Sequence, residues 1–199
     1  MSKGLLALFF DLGDTIMDEG TEVKDAELTT LHADLIPGLD DALRRCKRRV
    51  GRLALVADTR PGTAANVLAQ HGLTDLFDYL AISEIVGVEK PDPRLFQAAL
   101  DALAIAPADY GRVAMVGNNL ERDIAGAKRL GLITIFLHWN ERRRTTPFTA
   151  DETPDYTVQN GCTNHGGREW AAIASTSCCS EATGRSGGIS LLLVSHGRN

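Results

Sequence analysis

The sequence predicts an α/β protein built on a mostly parallel sheet, and three observations carry that prediction. Short apolar runs recur from residue 5 to residue 137, helix-length amphipathic segments separate them, and each run is followed by polar or glycine-rich residues where a strand ends.

The elements follow in order. Residues 5–10 (Leu-Leu-Ala-Leu-Phe-Phe) are continuously apolar and stop at Asp11, as expected of a strand buried on both faces and followed by a loop. After the Pro37-Gly38 turn, Leu39, Ala42, Leu43 and Cys46 fall at i, i+3, i+4 and i+7, one face of a helix. Arg44, Arg45, Lys47, Arg48 and Arg49 then complement the partial negative charge at that helix's C-terminus. Residues 52–57 form a second buried strand. Pro61 opens a helix whose apolar positions include Ala64, Val67 and Leu68, and Gly72 stops it. Residues 79–83 make a weaker third strand. Asp92-Pro93 is a helix start, an N-cap carboxylate followed by proline in the first turn, and Leu95, Phe96, Ala99, Leu100 and Leu103 are its buried stripe. Residues 112–116 form a fourth strand, the Gly117-Asn118-Asn119 turn leads into a helix over about 121–130, and Gly131 ends it. Residues 132–137 are a fifth strand and residues 156–158 a short sixth.

Strands separated by helix-length segments imply right-handed crossovers and a parallel sheet. Ligands of such sheets bind beyond the C-terminal strand ends. The residues to watch are therefore 11–15, 57–60, 83–90 and 117–123.

Bulk properties narrow the function classes. The chain has 199 residues, 44% hydrophobic and 24% charged, enough for one domain with a sizeable core. A net charge of −5 argues against nucleic acid or an anionic membrane surface as partner. The apolar runs are too short to span a bilayer. The N-terminal run is also too short for a signal peptide, so a cytoplasmic location is expected. The four cysteines form no Cys-x-x-Cys pair, and the vicinal Cys178-Cys179 is read as incidental. Residues 159–199 change character, becoming rich in Gly, Ser and Cys without a clear amphipathic period. That tail is expected to be poorly ordered and foreign to the fold, with residues 189–194 as its one strand-like run.

An Asp directly after a buried first strand can attack phosphorus and form an aspartyl-phosphate that water then hydrolyses. The reaction needs its anionic charge neutralised, usually by Mg²⁺ and a lysine. Asp11, Lys90 and the turn from Asn118 to Asp123 supply the right atoms.

Three segments then resemble motifs of the haloacid dehalogenase (HAD) superfamily of hydrolases. Phe10-Asp11-Leu12-Gly13-Asp14-Thr15 is similar to the first motif, with Asp11 as nucleophile. Val88-Glu89-Lys90-Pro91-Asp92-Pro93 is similar to the third, with Lys90 balancing charge, and Val116-Gly117-Asn118-Asn119-Leu120-Glu121-Arg122-Asp123 to the fourth. The resemblance covers residues 5 to about 158. It implies a HAD core, a doubly wound, three-layer, Rossmann-like, mostly parallel sheet, and an Mg²⁺ site using Asp11, the Gly13 carbonyl, Asn118 and Asp123.

The departures are specific. The family's phosphatases carry a second Asp, the general acid, where this chain has Gly13, which transfers no proton; Asp14 is the candidate substitute. The second motif's usual Ser or Thr is replaced by Ala57, leaving Asp58 and Thr59 as candidate phosphate-binding residues. Asn118 replaces a carboxylate and offers a neutral, weaker Mg²⁺ ligand. Residues 16–36 are too few for a helical cap and resemble the minimal-cap class. An uncapped site excludes water less well unless a phosphorylated macromolecule or a second subunit covers it. Arg142-Arg143-Arg144 reads either as a contact to substrate phosphates or as a solvated loop.

The expectation is a slow Mg²⁺-dependent phosphohydrolase acting on a phosphorylated small molecule or macromolecule. The alternative is a catalytically impaired relative that binds a phosphorylated ligand or protein. A receiver domain places its phosphoacceptor after a later strand, and a dehalogenase of this kind carries a large cap.

Overall fold

A computed structural model describes residues 4–159; the tail beyond, with the 189–194 run and Cys162, Cys178 and Cys179, lies outside the described residues. Six strands, β1 (Ala7–Phe10), β4 (Leu53–Ala57), β5 (Tyr79–Ile82), β6 (Val113–Gly117), β7 (Ile133–His138) and β8 (Tyr156–Gln159), form one sheet in the order β5-β4-β1-β6-β7-β8. Every pairing is parallel. The order reverses at β1, which pairs β4 on one side and β6 on the other, so the crevice for a ligand opens at the end of β1.

Alternation along β1 explains the layers. Leu8 and Phe10 point to one face, with α1 (Leu39–Val50) and α2 (Pro61–Gln70); Ala7 and Phe9 point to the other, with α4 (Pro93–Ala102). All four residues are at most 1% exposed, which is why the run is continuously apolar. Each phenylalanine contributes about 1.5–3 kcal/mol by leaving water. On α1 the buried positions are Leu39, Ala42, Leu43 and Cys46, as the spacing predicts, and on α4 they include Leu95, Phe96, Ala99 and Leu100. Asp92 caps α4 by accepting from Arg94 N–H at 2.9 Å, with Pro93 at the first position. Burial pushes the Cys46 thiol up to about 11, so it behaves as a core hydrophobe rather than a nucleophile.

Three local features differ from expectation. The segment between β1 and α1 contains a short 3₁₀ turn (Glu19–Thr21) and an antiparallel pair, β2 (Val23–Lys24) and β3 (Thr30–His32). These strands are too short for a two-residue period to register. Ser83, expected to end a strand, begins a one-turn helix, α3 (Ser83–Val86). The helix expected over 121–130 is a π-helical turn (Leu120–Ile124) running into α5 (Ala125–Arg129). Among the described residues, no helix is long and apolar enough to cross a membrane.

Candidate active site

The site is assembled from loops that leave neighbouring strand ends. Asp11 follows β1, Asp58 and Thr59 follow β4, Lys90 lies in the α3–α4 connection, and Asn118 and Asp123 follow β6. The Asp11 N–H donates to Val116 O at 3.0 Å, which ties the first loop to β6.

Lys90 is the hub. Its ammonium lies 2.5 Å from Asp11 Oδ1 and 2.8 Å from Asp123 Oδ1, and it donates to Val56 O at 2.9 Å. Its side chain is only 2% exposed and that of Asp123 is fully buried, whereas Asp11 keeps 13% of its surface. Burial pulls the pKa of the ammonium down, but Asp11, Asp123 and Asp58 around it hold it above the usual lysine value. Burial pushes the Asp123 carboxyl well above the usual carboxylate range, and the charge on Asp11 adds to this against the opposing pull of Lys90.

The surrounding backbone is shaped to hold these groups. Asp123 Oδ2 accepts from Asn119 N–H at 2.9 Å, and a Cβ on Gly117 would collide with the Asp123 carboxylate. Glycine is needed there for close approach. Asp58 Oδ1 accepts from Lys90 N–H at 2.8 Å, and its Oδ2 pairs with Arg122 at 2.9 Å. Arg122 also pairs with Glu89 at 3.0 Å, so Asp58 and Arg122 together brace the lysine-bearing loop.

The candidate site residues separate on this geometry. Asp11, Lys90 and Asp123 converge. Asp123 Oδ2 accepts from Asn119 N–H, while its buried Oδ1 faces the Lys90 ammonium at 2.8 Å without a hydrogen-bond partner, an arrangement that positions the lysine. Asp58 borders the cleft with both oxygens engaged, one by Lys90 N–H and the other by Arg122. Thr59 donates its N–H to Ser83 Oγ at 3.0 Å and lines the cleft with Ser83. Asp14 is fully buried at a φ of 49°, pairs with Arg142, and accepts from Glu19 N–H at 3.2 Å. A fully buried carboxyl has no open path to a leaving oxygen, so Asp14 could act as general acid only if the loop around it opened.

The loop between β7 and β8 supplies what sequence reasoning did not place. Arg142 also pairs with Asp18 at 2.7 Å, Arg143 with Glu19 at 2.9 Å, and Arg144 with Glu121 at 2.7 Å and Glu152 at 2.8 Å. Arg142 and Arg143 thus clip the loop to residues after β1, while Arg144 ties it to Glu121 after β6 and to Glu152 within the same loop. Glu19 is the one carboxyl among these partners that lines the cleft. Burial raises its pKa, Asp14 and Asp11 add to the rise, and Arg143 opposes it. The cleft measures about 690 Å³ and is bordered by Leu12, Gly13, Glu19, Asp58, Thr59 and Ser83. No spacing rule links positions 13, 19 and 143, so the sequence offered no signal for this group.

The donors present can be tested against Mg²⁺, which takes hard oxygens, often through one or two carboxylates, and keeps several waters. Asp11 Oδ2 accepts no hydrogen bond from the described residues, and the buried Asn118 amide likewise has no side-chain partner among them. Two acidic side chains, Asp11 and Asp123, face the single ammonium of Lys90, a balance that favours a further cation. Among the described residues no three His, Cys, Asp or Glu side chains gather into a metal cluster, as expected where Gly13 and Asn118 stand in place of carboxylates. The set fits a Mg²⁺ ion held by one carboxylate, carbonyl oxygens and water.

A doubly wound parallel sheet that presents a carboxylate and an ammonium at its switch point defines an α/β protein with a strand-end charge site. The chain belongs to the haloacid dehalogenase-like hydrolase family, whose model matches residues 5–131. It is 35% identical over 124 residues to a phosphoserine phosphatase of Thermus thermophilus, covering 62% of this chain and 47% of that protein. It is 43% identical over 77 residues to the pyrimidine 5'-nucleotidase YjjG of Escherichia coli, covering 39% of this chain and 33% of the relative. The chain thus spans less than half the length of these curated relatives. A HAD phosphatase from Thermococcus onnurineus shares the fold with a TM-score of 0.64 at 19% identity, covering 77% of this chain and 93% of the other. The magnesium-bound HAD hydrolase YfnB from Bacillus subtilis does so with a TM-score of 0.63 at 17% identity, covering 78% and 95%.

Proposed function

We propose that this chain is a Mg²⁺-dependent phosphohydrolase that works through an aspartyl-phosphate on Asp11. The observation that carries the reading is the ammonium of Lys90, 2.5 Å from Asp11 Oδ1 and locked from behind by the buried Asp123. Asp11 Oδ2 is left to attack phosphorus, and the fixed positive charge offsets the anionic oxygens gathering around it. Mg²⁺, held by Asp11, the Gly13 carbonyl and Asn118, would polarise the phosphoryl group. Thr59 and Ser83 border the path by which that group would enter.

Substrates are phosphoric monoesters of small molecules, the class named by the phosphoserine phosphatase, the nucleotidase and a glyceraldehyde 3-phosphate phosphatase of Pyrococcus furiosus that is 31% identical over 106 residues. A cleft of about 690 Å³ is of the size that holds such molecules. The two-stranded insertion serves as a minimal cap over this open cleft, and a second copy of the chain is the proposed further cover. Gly13, Ala57 and Asn118 make turnover slow, and Gly13 in particular favours the second reading, binding of a phosphorylated ligand or protein without turnover.

Release of phosphate from p-nitrophenyl phosphate with Mg²⁺ separates the two. Asp11→Asn is expected to lower kcat by at least ~10³-fold, the scale of losing a nucleophile. Equal rates in the two proteins would refute the enzyme.

A further inference from the structure

The reading as a phosphohydrolase leaves one proton unaccounted for. When Asp11 attacks phosphorus and the ester bond breaks, the electron pair goes to the leaving oxygen, which for an alkyl alcohol needs a proton to depart. Gly13 has no side chain to give one, and Asp14 is buried against Arg142.

The space beside Gly13 is occupied. A Cβ built on Gly13 would collide with Glu19 Oε1, and Glu19 Cδ and Cγ lie at 3.0 and 3.2 Å from it. Gly13 is not among the glycines with positive φ, so the backbone does not demand glycine there. The Glu19 carboxyl fills the space that a side chain at position 13 would take. That carboxyl is delivered from the other side of the loop: Asp18 caps the 3₁₀ turn by accepting from Gly20 N–H at 2.8 Å, and Glu19 N–H is tied to Asp14 at 3.2 Å. Its side chain is 31% exposed and borders the cleft next to Gly13. Arg143 donates to both carboxyl oxygens, at 2.9 and 3.1 Å, and its 42% exposure leaves it able to move from Glu19 to an arriving phosphoryl group and so free the carboxyl.

We propose that Glu19 is the general acid and base of this site, replacing from six residues downstream the side chain that Gly13 lacks. In the first half-reaction the Asp11 oxygen–phosphorus bond forms, the ester bond breaks, and the Glu19 proton goes to the leaving alcohol. In the second, water attacks the phosphorus of the aspartyl-phosphate, its proton returns to Glu19, and inorganic phosphate leaves Asp11. The proposal rests on the phosphohydrolase reading.

The test compares kcat/KM for two esters, one whose leaving group departs readily without a proton (p-nitrophenyl phosphate) and one that needs it (β-glycerophosphate), in the full chain with Mg²⁺. Glu19→Gln is expected to lose on the order of 100-fold with β-glycerophosphate, and at least tenfold less with p-nitrophenyl phosphate. The double variant Gly13→Asp/Glu19→Ala, in which truncation clears the space beside position 13 and an acid stands there instead, is expected to recover at least tenfold of the alkyl loss. Equal losses on both esters, no loss on either, or no recovery in the double variant would overturn the assignment of Glu19 while leaving Asp11-dependent hydrolysis in place. Absence of Asp11-dependent hydrolysis in the unmutated chain would overturn the phosphohydrolase reading, and Glu19 with it.

Discussion

Carboxylates and cations are paired in two parts of this molecule, and the pairs differ in depth. At the end of the sheet, Lys90 holds Asp11 and Asp123 with side-chain exposures of 2%, 13% and 0%. At the rim, Arg142 and Arg143, at 41% and 42% exposure, hold Asp18 and Glu19, whose side chains are 20% and 31% exposed. The first group sits where desolvation is severe, so removing one member strands the others. The second exchanges protein partners for water at little cost. The buried group is therefore suited to fixing one geometry, and the rim to rearranging around a ligand.

The largest effect should come from breaking the deep pair. Lys90→Met keeps the side chain's length but leaves Asp123 fully buried without its cation, and is expected to cost about 3–5 kcal/mol of stability. A shift of the urea midpoint at pH 7 measures it, and an unchanged midpoint would break the contrast drawn between depth and rim. The smallest effect should come from Arg144→Gln. Arg144 holds the Glu152 carboxyl down at about 2 against an ordinary 4.5. A carboxyl whose folded value is depressed stabilises the fold above its unfolded value and loses that contribution as pH falls through the folded one. The difference in Tm between the wild-type chain and Arg144→Gln should thus be small at pH 7 and shrink as pH falls from 4.5 toward about 2. A difference that grows over that window would show that Arg144 acts through something other than this pair.

The same division of depth governs what the sequence made legible. The strands and the buried stripes of α1 and α4 are long enough to carry a period, and Asp11 stood out because a charged side chain ends a buried run; Lys90, between α3 and α4, stood out only through the resemblance of its segment to the third HAD motif. The hairpin after β1 was not, because strands of two and three residues carry no usable alternation and Val23 and Leu31 remain over half exposed. The partners of Asp58 were not legible either, because Lys90 N–H and Arg122 reach its two oxygens from 32 and 64 residues away. Glu19 and Arg143 meet across 124 residues between two loops, and no local pattern encodes such a meeting.

Beryllium fluoride mimics the phosphoryl group on a carboxylate, and its adduct tests the central role of Asp11 most directly. With Mg²⁺ and beryllium fluoride, the ¹⁹F spectrum of the protein should show a bound trifluoroberyllate signal that disappears in Asp11→Asn. A bound signal that survives in Asp11→Asn, or none in the wild-type chain, would contradict nucleophilic attack by Asp11.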